Sequence, residues 1–253
     1  MRRPDLRRPF PRRFRQRLAG QTVLELSRRA KYLLATLSSR ETLLMHLGMS
    51  GSFSVNPPAF GLVAAGGEAS RDPHDHVVFH MSTGAVIAYN DPRRFGLMDL
   101  LSPAALAQHP ALSNLGPEPL SSSFDGAALA MACRRKTTSL KAALLDQRVV
   151  AGLGNIYVVE ALHRTGLSPR RRASTIATPS GAPRDSAHRL AAAVKKVLNE
   201  AIARQDRPES YRASRFRVYD REGEPCPRAG CGGVVKRLAQ GGRSTFYCPR
   251  CQN

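Results

Sequence analysis

The sequence predicts an α+β protein of several domains, because strand-like and helix-like patterns occupy different parts of its 253 residues. Short apolar or alternating runs, separated by turn residues, fill residues 21–95 and are typical of β-strands. From about Ser122 onward the apolar residues recur at helical spacing instead. Four of the five cysteines lie between Cys226 and Cys251. We therefore expect a β-rich domain, a helical domain and a small cysteine-rich module, in that order.

The β-rich part contains five runs that predict strands. They are Val23–Leu26, Tyr32–Leu37, Leu43–Leu47, Val77–Met81 and Val86–Tyr89. Between the third and fourth runs, the Gly/Ala/Pro-rich stretch Pro57–Arg71 predicts a surface loop.

The helical part contains three predicted short helices and one longer one. The short helices are Phe124–Cys133, Leu140–Leu145 and Ile156–Thr165. The longer helix follows Pro183, because Ala187, Leu190, Val194, Val197 and Ala201 are spaced for one apolar stripe. Its polar face carries Lys195 and Lys196.

The charge of the chain is strongly positive: 39 Lys and Arg against 19 Asp and Glu give a net charge of +20. This excess favours a polyanionic partner, most often nucleic acid, over a generic small-molecule enzyme. A solvated, arginine-rich surface is the alternative. No apolar run approaches the ~18 residues of a membrane span, and the basic start lacks the apolar segment of a secretory signal. We therefore expect a cytoplasmic protein without a membrane partner.

The cysteine cluster has the spacing of a metal site. Cys226 and Cys231 form one pair, Cys248 and Cys251 the other, with 16 residues between the pairs. A β-hairpin of that length brings four thiolates together as a closed, tetrahedral and therefore structural zinc site. Two disulfides in a secreted tail are the alternative. The basic, glycine-containing segment around Arg243 suits a phosphate backbone, although zinc ribbons also mediate protein contacts.

A glycine turn precedes the third short helix. Gly152, Gly154 and Asn155 stand just before the helical pattern, and free amides at a helix start bind phosphate readily. A plain helix–turn–helix connection with a glycine C-cap is the other interpretation, and the sequence leaves both open.

Other loops combine basic, aromatic or histidine residues. The segment DPRRFG at residues 91–96 is either a plain hairpin loop or a rigid turn whose Arg and Phe fill the gap left by an extruded base. The segment HLGMSGS at residues 46–52 places Met49 between glycines. His74 and His76 have no further metal ligand nearby, which favours a phosphate contact or a satisfied loop histidine. Lys31, before a buried strand, is by pattern alone a solvated edge residue.

Taken together and in order, these segments resemble the bacterial formamidopyrimidine-DNA glycosylase family. The matching segments are RRAKYLL from residue 28, HLGMSGS, HDHV, DPRRFG, LGPEPL from residue 115, GLGNIY and the cysteine tail. The resemblance implies a base-excision repair glycosylase and AP lyase that removes oxidised purines (8-oxoguanine, formamidopyrimidines) and nicks the abasic site by β,δ-elimination. It also implies damaged double-stranded DNA as partner, a monomer, and nucleoid association through DNA binding. The expected domains are a truncated β-sandwich (1–115), a helix–two-turn–helix domain (116–203) and a four-cysteine zinc finger (215–253).

The resemblance also implies residue roles. Lys31 corresponds to a lysine that contacts the lesion's phosphate and assists β-elimination, and Arg243 to a phosphate-binding arginine linked to δ-elimination. Three residues correspond to those that intercalate into the duplex after the damaged nucleotide flips out: Met49, Arg93 and Phe95. We call them the wedge residues. The implied DNA contacts are His74, Arg93, Lys136 and Asn155, and the implied ligands of one structural Zn²⁺ are Cys226, Cys231, Cys248 and Cys251.

Two departures from the family pattern affect the expected chemistry. Family members begin with a proline, whose terminal amine is the nucleophile, followed by a glutamate; this chain begins Met1-Arg2-Arg3-Pro4. For a chain that starts there we expect DNA binding without efficient excision, so a truncated, non-catalytic DNA-binding relative is the alternative to the enzyme. The segment between Ala203 and Arg217 is also shorter than in the family, which leaves lesion selectivity open. A zinc-ribbon module for RNA or protein is a third interpretation.

Overall fold

The computed structural model describes residues 3–57, 72–205 and 216–253. The chain divides into two compact units, Met1–Ser113 and Asn114–Asn253. Apart from Pro57, the loop expected over Pro57–Arg71 lies outside the described residues, as do residues 206–215 of the shortened segment. The further division of the second unit into two domains stays a prediction.

The first unit is a β-sandwich of two antiparallel sheets. One sheet has the order β1 (Val23–Arg29), β2 (Tyr32–Leu37), β3 (Thr42–His46) and β7 (Leu97–Leu101). The other has the order β4 (Ser52–Asn56), β6 (Val86–Asn90) and β5 (Asp75–His80).

Apolar side chains from both sheets form one core. Leu43 and Met45 from β3 are buried together with Val77 from β5 and Tyr89 from β6. This packing follows from the period of two in the strand sequences, which sends alternate residues to the same face. The expected β-sandwich is therefore confirmed.

Short elements in the first unit complete this framework. Helix α1 (Phe14–Leu18) places Phe14 in the sandwich core, and α2 (Pro103–Ala107) is capped by the side chain of Ser102. The sequence analysis predicted neither helix, nor strands β4 and β7. Helices of five residues carry too little periodicity to be recognised, and both strands directly follow segments that were interpreted as loops.

The second unit begins with four α-helices around one apolar core. They are α3 (Gly126–Cys133), α4 (Leu140–Leu145), α5 (Asn155–Thr165) and α6 (Asp185–Gln205), with a 3₁₀ turn at Ala173–Ile176. The side chains of Asp125 and Ser139 accept hydrogen bonds from backbone amides and so cap α3 and α4. The predicted stripe is buried at Ala187, Leu190, Val194 and Val197.

The glycine turn before α5 provides the start of that helix. Gly154 is the N-cap residue of α5, and α4 ends earlier, with Asp146 as its C-cap. The alternative of a glycine C-cap at this turn is therefore wrong, because the chain between α4 and Gly154 is not helical.

The C-terminal part of the second unit is a β-hairpin. Strands β8 (Lys236–Gln240) and β9 (Arg243–Tyr247) are joined by Gly241 and Gly242, both with positive φ, as tight hairpin turns require. Phe246 from β9 packs against Val159 from α5. None of the helices in the described ranges is long and apolar enough to cross a membrane.

Candidate functional site

The wedge residues lie on two loops of the first unit that touch each other. Met49 is on the β3–β4 loop and is 72% exposed, whereas Phe95 is on the β6–β7 loop and is 48% exposed. The guanidinium carbon of Arg93 stands 5.6 Å from the centre of the Phe95 ring. A Cβ on Gly48, whose φ is +68°, would lie 2.5 Å from the carbonyl carbon of Phe95. The structure thus brings all three wedge residues together at one exposed place.

A fully buried carboxylate, Asp91, joins these two loops. Its Oδ1 accepts a hydrogen bond from the Ser50 hydroxyl at 2.7 Å, and its Oδ2 accepts bonds from the Gly96 amide at 2.8 Å and the Tyr89 hydroxyl at 3.1 Å. We call Asp91, Ser50, Tyr89 and Gly96 the Asp91 cluster. In the sequence Asp91 is only the first residue of the DPRRFG loop, and its role is not evident there because its partner Ser50 lies 41 residues away.

The charge of Asp91 is stabilised by these donors. Burial alone raises the pKa of this carboxyl group, but hydrogen bonds from Ser50, the Gly96 amide, Tyr89 and the Arg93 amide outweigh burial, so that the pKa is lowered. Asp91 is therefore an anion at neutral pH, and it accepts all of these bonds in the charged form.

The two histidines of the HDHV segment have different surroundings. His76 is buried, and its Nε2 lies 2.9 Å from the carbonyl oxygen of Asp91. His74 is exposed, and its own carbonyl accepts a hydrogen bond from the Asp91 amide. The two residues do not form a metal site, since the four cysteines are the only such group within the described ranges. His74 remains a predicted DNA contact.

Lys31 lies at the tip of the β1–β2 hairpin. The tip consists of Ala30, with φ of +53°, and the exposed Lys31. Tyr32, the residue after Lys31, pairs with His46 across β2 and β3, and their ring centres are 4.9 Å apart, which places Lys31 near the end of β3. Burial, and secondly the charge of Lys31, lower the pKa of His46. His46 directly precedes the loop that carries Met49, so Lys31 and that loop lie at the same end of the sheet.

In the second unit, Asn155 and Lys141 hold the zinc-finger hairpin. Asn155, the first residue of α5, donates its Nδ2–H to the Ser244 carbonyl at 3.0 Å. The Nζ of Lys141, a residue only 1% exposed, donates to the Thr245 hydroxyl at 2.6 Å and to the Ser244 carbonyl at 3.3 Å. The sequence analysis interpreted Lys141 only as part of a helix, although a lysine within the apolar run Leu140–Leu145 could have indicated a buried cation.

The predicted phosphate-binding arginine is next to this buried lysine. Arg243 is exposed, begins β9 and lines a cavity of about 300 Å³ together with Lys141, Asp146 and Gln240. Burial, and secondly the charge of Arg243, lower the pKa of Lys141 to about 8. Two cationic side chains therefore face one cavity.

Lys136 is not brought into this cavity wall. Its Nζ donates a hydrogen bond to Asp146 at 3.2 Å. Hydrogen bonding from Arg148, and also from Lys136, lowers the pKa of Asp146 to about 2. In this structure the ammonium group of Lys136 is thus paired with Asp146, and its predicted DNA contact stays a prediction.

The four cysteines fit a structural zinc ion. Their sulfur atoms all lie within 4.8 Å of one another. The Cys226 and Cys251 sulfurs are 3.8 Å apart, and those of Cys231 and Cys248 are 3.6 Å apart. A tetrahedral zinc–thiolate site with bonds of about 2.3 Å has sulfur–sulfur distances of roughly 3.8 Å. The donor set is closed and soft, so that zinc has a structural role here.

Family models match nearly the whole chain. They are the formamidopyrimidine-DNA glycosylase N-terminal domain at residues 1–98, the H2TH domain of the same enzyme at 115–211, and the zinc finger found in FPG and IleRS at 223–253. Proteins named formamidopyrimidine-DNA glycosylase from Bradyrhizobium sp. (strain BTAi1) and Rhodopseudomonas palustris (strain BisA53) are 58% and 57% identical to this chain. These matches cover 99% and 100% of the chain and 90% of each relative.

Solved structures agree with the family models. The Lactococcus lactis formamidopyrimidine-DNA glycosylase, bound non-covalently to DNA containing an AP site, has a TM-score of 0.79 at 30% identity, over 94% of this chain and 84% of that one. The MutM (Fpg) protein of Thermus thermophilus has a TM-score of 0.79 at 35% identity, over 96% and 86%. By sequence and by fold, this chain belongs to the formamidopyrimidine-DNA glycosylase family of base-excision repair enzymes.

Proposed function

We propose that this protein excises 8-oxoguanine and formamidopyrimidines from double-stranded DNA and then cleaves the abasic strand by β,δ-elimination. The observation that carries the proposal is the cluster of exposed wedge residues on two touching loops, which the buried Asp91 joins through hydrogen bonds from Ser50 and Gly96. A nucleotide extruded from a duplex leaves a gap, and apolar or planar side chains on a rigid support can fill it. Met49, Arg93 and Phe95 have this chemistry and this exposure.

The lyase steps would use the cationic residues on either unit. Lys31 would contact the phosphate at the lesion and assist the elimination that breaks the bond to the 3′ oxygen. Arg243 would bind the phosphate whose bond to the 5′ carbon breaks in the second elimination. The cavity lined by Arg243, Lys141 and Asp146 supports this assignment, because two cations against one carboxylate leave a net positive charge, which favours a phosphate.

Further DNA contacts would come from His74, Lys136 and Asn155. The Lactococcus lactis relative is bound to DNA that contains an AP site, and a solved MutM complex contains DNA with a carbocyclic 8-oxo-G. We infer that the present chain acts as a monomer on the bacterial chromosome, since one lesion needs one set of wedge residues. Light scattering of the protein, alone and with one duplex, would test the 1:1 stoichiometry.

The alternative of a DNA-binding relative without catalysis has no support over the enzyme in the comparisons, whose relatives bear the enzyme's name. In the family the nucleophile is the amine of an N-terminal proline, which a tag at that end of the protein would block. The experiment should therefore use the protein purified with its natural N-terminus.

A strand-cleavage assay tests the proposal. The substrate is a duplex with one 8-oxoguanine, and the reference is the same duplex with guanine. We expect cleavage of the first duplex only, and slower cleavage by Lys31→Met. The control is Lys196→Met, which removes an exposed lysine from α6 and should leave the rate unchanged. Binding of both duplexes without cleavage of either would overturn the proposal in favour of the non-catalytic relative.

A further inference from the structure

A buried histidine on α5 contacts a zinc ligand. His163 is 0% exposed, and its Nε2 lies 3.3 Å from the Sγ of Cys226. This distance is within hydrogen-bonding range for a sulfur acceptor. His163 is not one of the four clustered metal-ligating residues, so the structure places a fifth polar side chain against the metal site.

The surroundings of the ring determine which nitrogen carries the proton. A histidine ring carries a proton on one or both of its nitrogens, and only a proton on Nε2 can be donated to Cys226. The Nδ1 of His163 is buried and has no hydrogen-bond partner among the described residues. A proton on Nδ1 would leave that donor unpaired and turn the Nε2 lone pair toward the Cys226 sulfur. A proton on Nε2 instead makes a bond to the thiolate, which is the lower-energy arrangement.

A second contact fixes the same end of α5 to the first cysteine pair. Arg228 lies between Cys226 and Cys231, and its Nη2 donates to the carbonyl oxygens of His163 at 2.5 Å and Arg164 at 3.2 Å. These carbonyls belong to the last turn of α5, where the regular helical donors end; the His163 carbonyl also accepts a bond from the Gly166 amide at 3.1 Å. The four residues between the first two cysteines thus include a side chain that caps the helix from the zinc module.

The second cysteine pair is equally close to this helix end. A Cβ on Gly166, the C-cap of α5 with φ of +73°, would lie 3.1 Å from the carbonyl oxygen of Cys251. The Asn253 amide donates to the Gly166 carbonyl at 3.0 Å. The end of α5 is therefore in contact with both cysteine pairs, and His163 is the side chain there that reaches a sulfur atom.

We propose that His163 is a positioning residue of the zinc site: its Nε2–H donates a hydrogen bond to the Cys226 thiolate, which stabilises the zinc-bound form and fixes the site to the end of α5. A donor to a thiolate disperses its negative charge and holds the sulfur in place. The inference rests on the zinc site and not on the proposed glycosylase reaction, so either can fail without the other.

The position of α5 gives this contact a wider consequence. The helix begins at Asn155, whose side chain holds Ser244 in the hairpin, and its last turn contains His163, which holds Cys226. The same 11-residue helix thus contacts the zinc module at both ends. Loss of the His163 contact should loosen zinc before it loosens the apolar core of the unit.

Zinc release to a chromogenic chelator tests the proposal at one neutral pH. The variants are His163→Phe, which fills the space but cannot donate, and His163→Gln, which retains a donor. The control is His109→Phe, which removes another buried histidine, 9% exposed and in the other unit. Partners that support metal ligands typically contribute 10- to 100-fold to metal affinity. We therefore expect zinc affinity to fall on the order of tenfold or more in His163→Phe and to recover in His163→Gln. In His109→Phe it should stay at the wild-type value.

Zinc affinity at the wild-type value in His163→Phe would overturn the proposal. If His163→Phe does not fold, nitrogen NMR of the ¹⁵N-histidine wild-type protein provides a separate test. We expect the Nε2 of His163 to carry a proton. A ring protonated only at Nδ1 would overturn the proposal, because that tautomer has no proton to donate to the sulfur.

Discussion

Replacement of Asp91 by asparagine tests the arrangement of the wedge residues. The substitution keeps the size of the side chain but removes its charge and one acceptor oxygen. The Asp91 carboxylate accepts bonds from Ser50, Tyr89 and Gly96. The Ser50 hydroxyl can reverse its role and accept a bond from the new amide, so we expect the fold to survive and the two loops to lose order.

The size of the effect follows from these three bonds. A hydrogen bond to a charged group contributes roughly 1.5–3 kcal/mol and a neutral one roughly 0.5–1.5 kcal/mol, so that each exchange costs about 1 kcal/mol. Replacing three charged hydrogen bonds by neutral ones therefore costs about 3 kcal/mol. If this whole free energy destabilises the loop conformation that binds DNA, affinity falls by at most on the order of 100-fold. We therefore expect affinity for a damaged site to fall between about tenfold and about 100-fold.

Fluorescence anisotropy measures this effect with two duplexes, one containing a tetrahydrofuran abasic analogue and one undamaged. Affinity for the first should fall as stated, whereas affinity for the second, which depends on phosphate contacts, should change little. Asp99→Asn provides the control, since Asp99 is a half-buried carboxylate of the same unit that lies within β7 and outside both loops. Equal losses for both duplexes, or no loss for either, would refute the positioning role of Asp91.

Three further predictions concern pH, salt and packing. The pKa of Lys141 is about 8 in the folded protein, so between about pH 8 and the usual lysine pKa the unfolded chain binds more protons than the folded one. The free energy of unfolding, measured by urea titration, should therefore rise with pH over this range. Lys141→Met should remove this rise. The four proposed cationic contacts are Lys31, Arg93, Lys136 and Arg243. They predict a slope of log affinity against log salt of about −3.6, and a flat response would contradict a phosphate-binding surface. Gly96→Ala would place a Cβ 1.8 Å from the Tyr89 hydroxyl. We expect the free energy of unfolding, measured by thermal unfolding, to fall by about 1–3 kcal/mol. An unchanged melting temperature would contradict this packing.

The parts of the fold that the sequence predicted well are those with a local pattern. The apolar stripe from Ala187 to Val197 and the spacing of the cysteines each fix a structure within a few turns of chain. Strand β7 was missed because LMDLL directly follows the DPRRFG segment, and a strand of five residues provides few alternations.

The supporting residues of the site could not be predicted, since their roles depend on partners far along the chain. Asp91 acts on Ser50, Lys141 on Thr245 and His163 on Cys226, at separations of 41, 104 and 63 residues. A local sequence pattern shows that Lys141 is a lysine in an apolar helix, but not which hairpin its ammonium group holds. The exposed candidate residues could be proposed from the sequence, because the resemblance attaches to the motifs that contain them; their roles stay predictions.

Borohydride trapping tests the central claim most directly, because it captures the imine that joins the enzyme to the opened sugar. The protein with its natural N-terminus is mixed with a duplex containing 8-oxoguanine in the presence of sodium borohydride, and covalent complex is quantified on a denaturing gel. We predict a protein–DNA adduct with the damaged duplex and none with the matched guanine duplex. Tight binding of the damaged duplex without any adduct would contradict the assignment of this chain as a glycosylase and lyase.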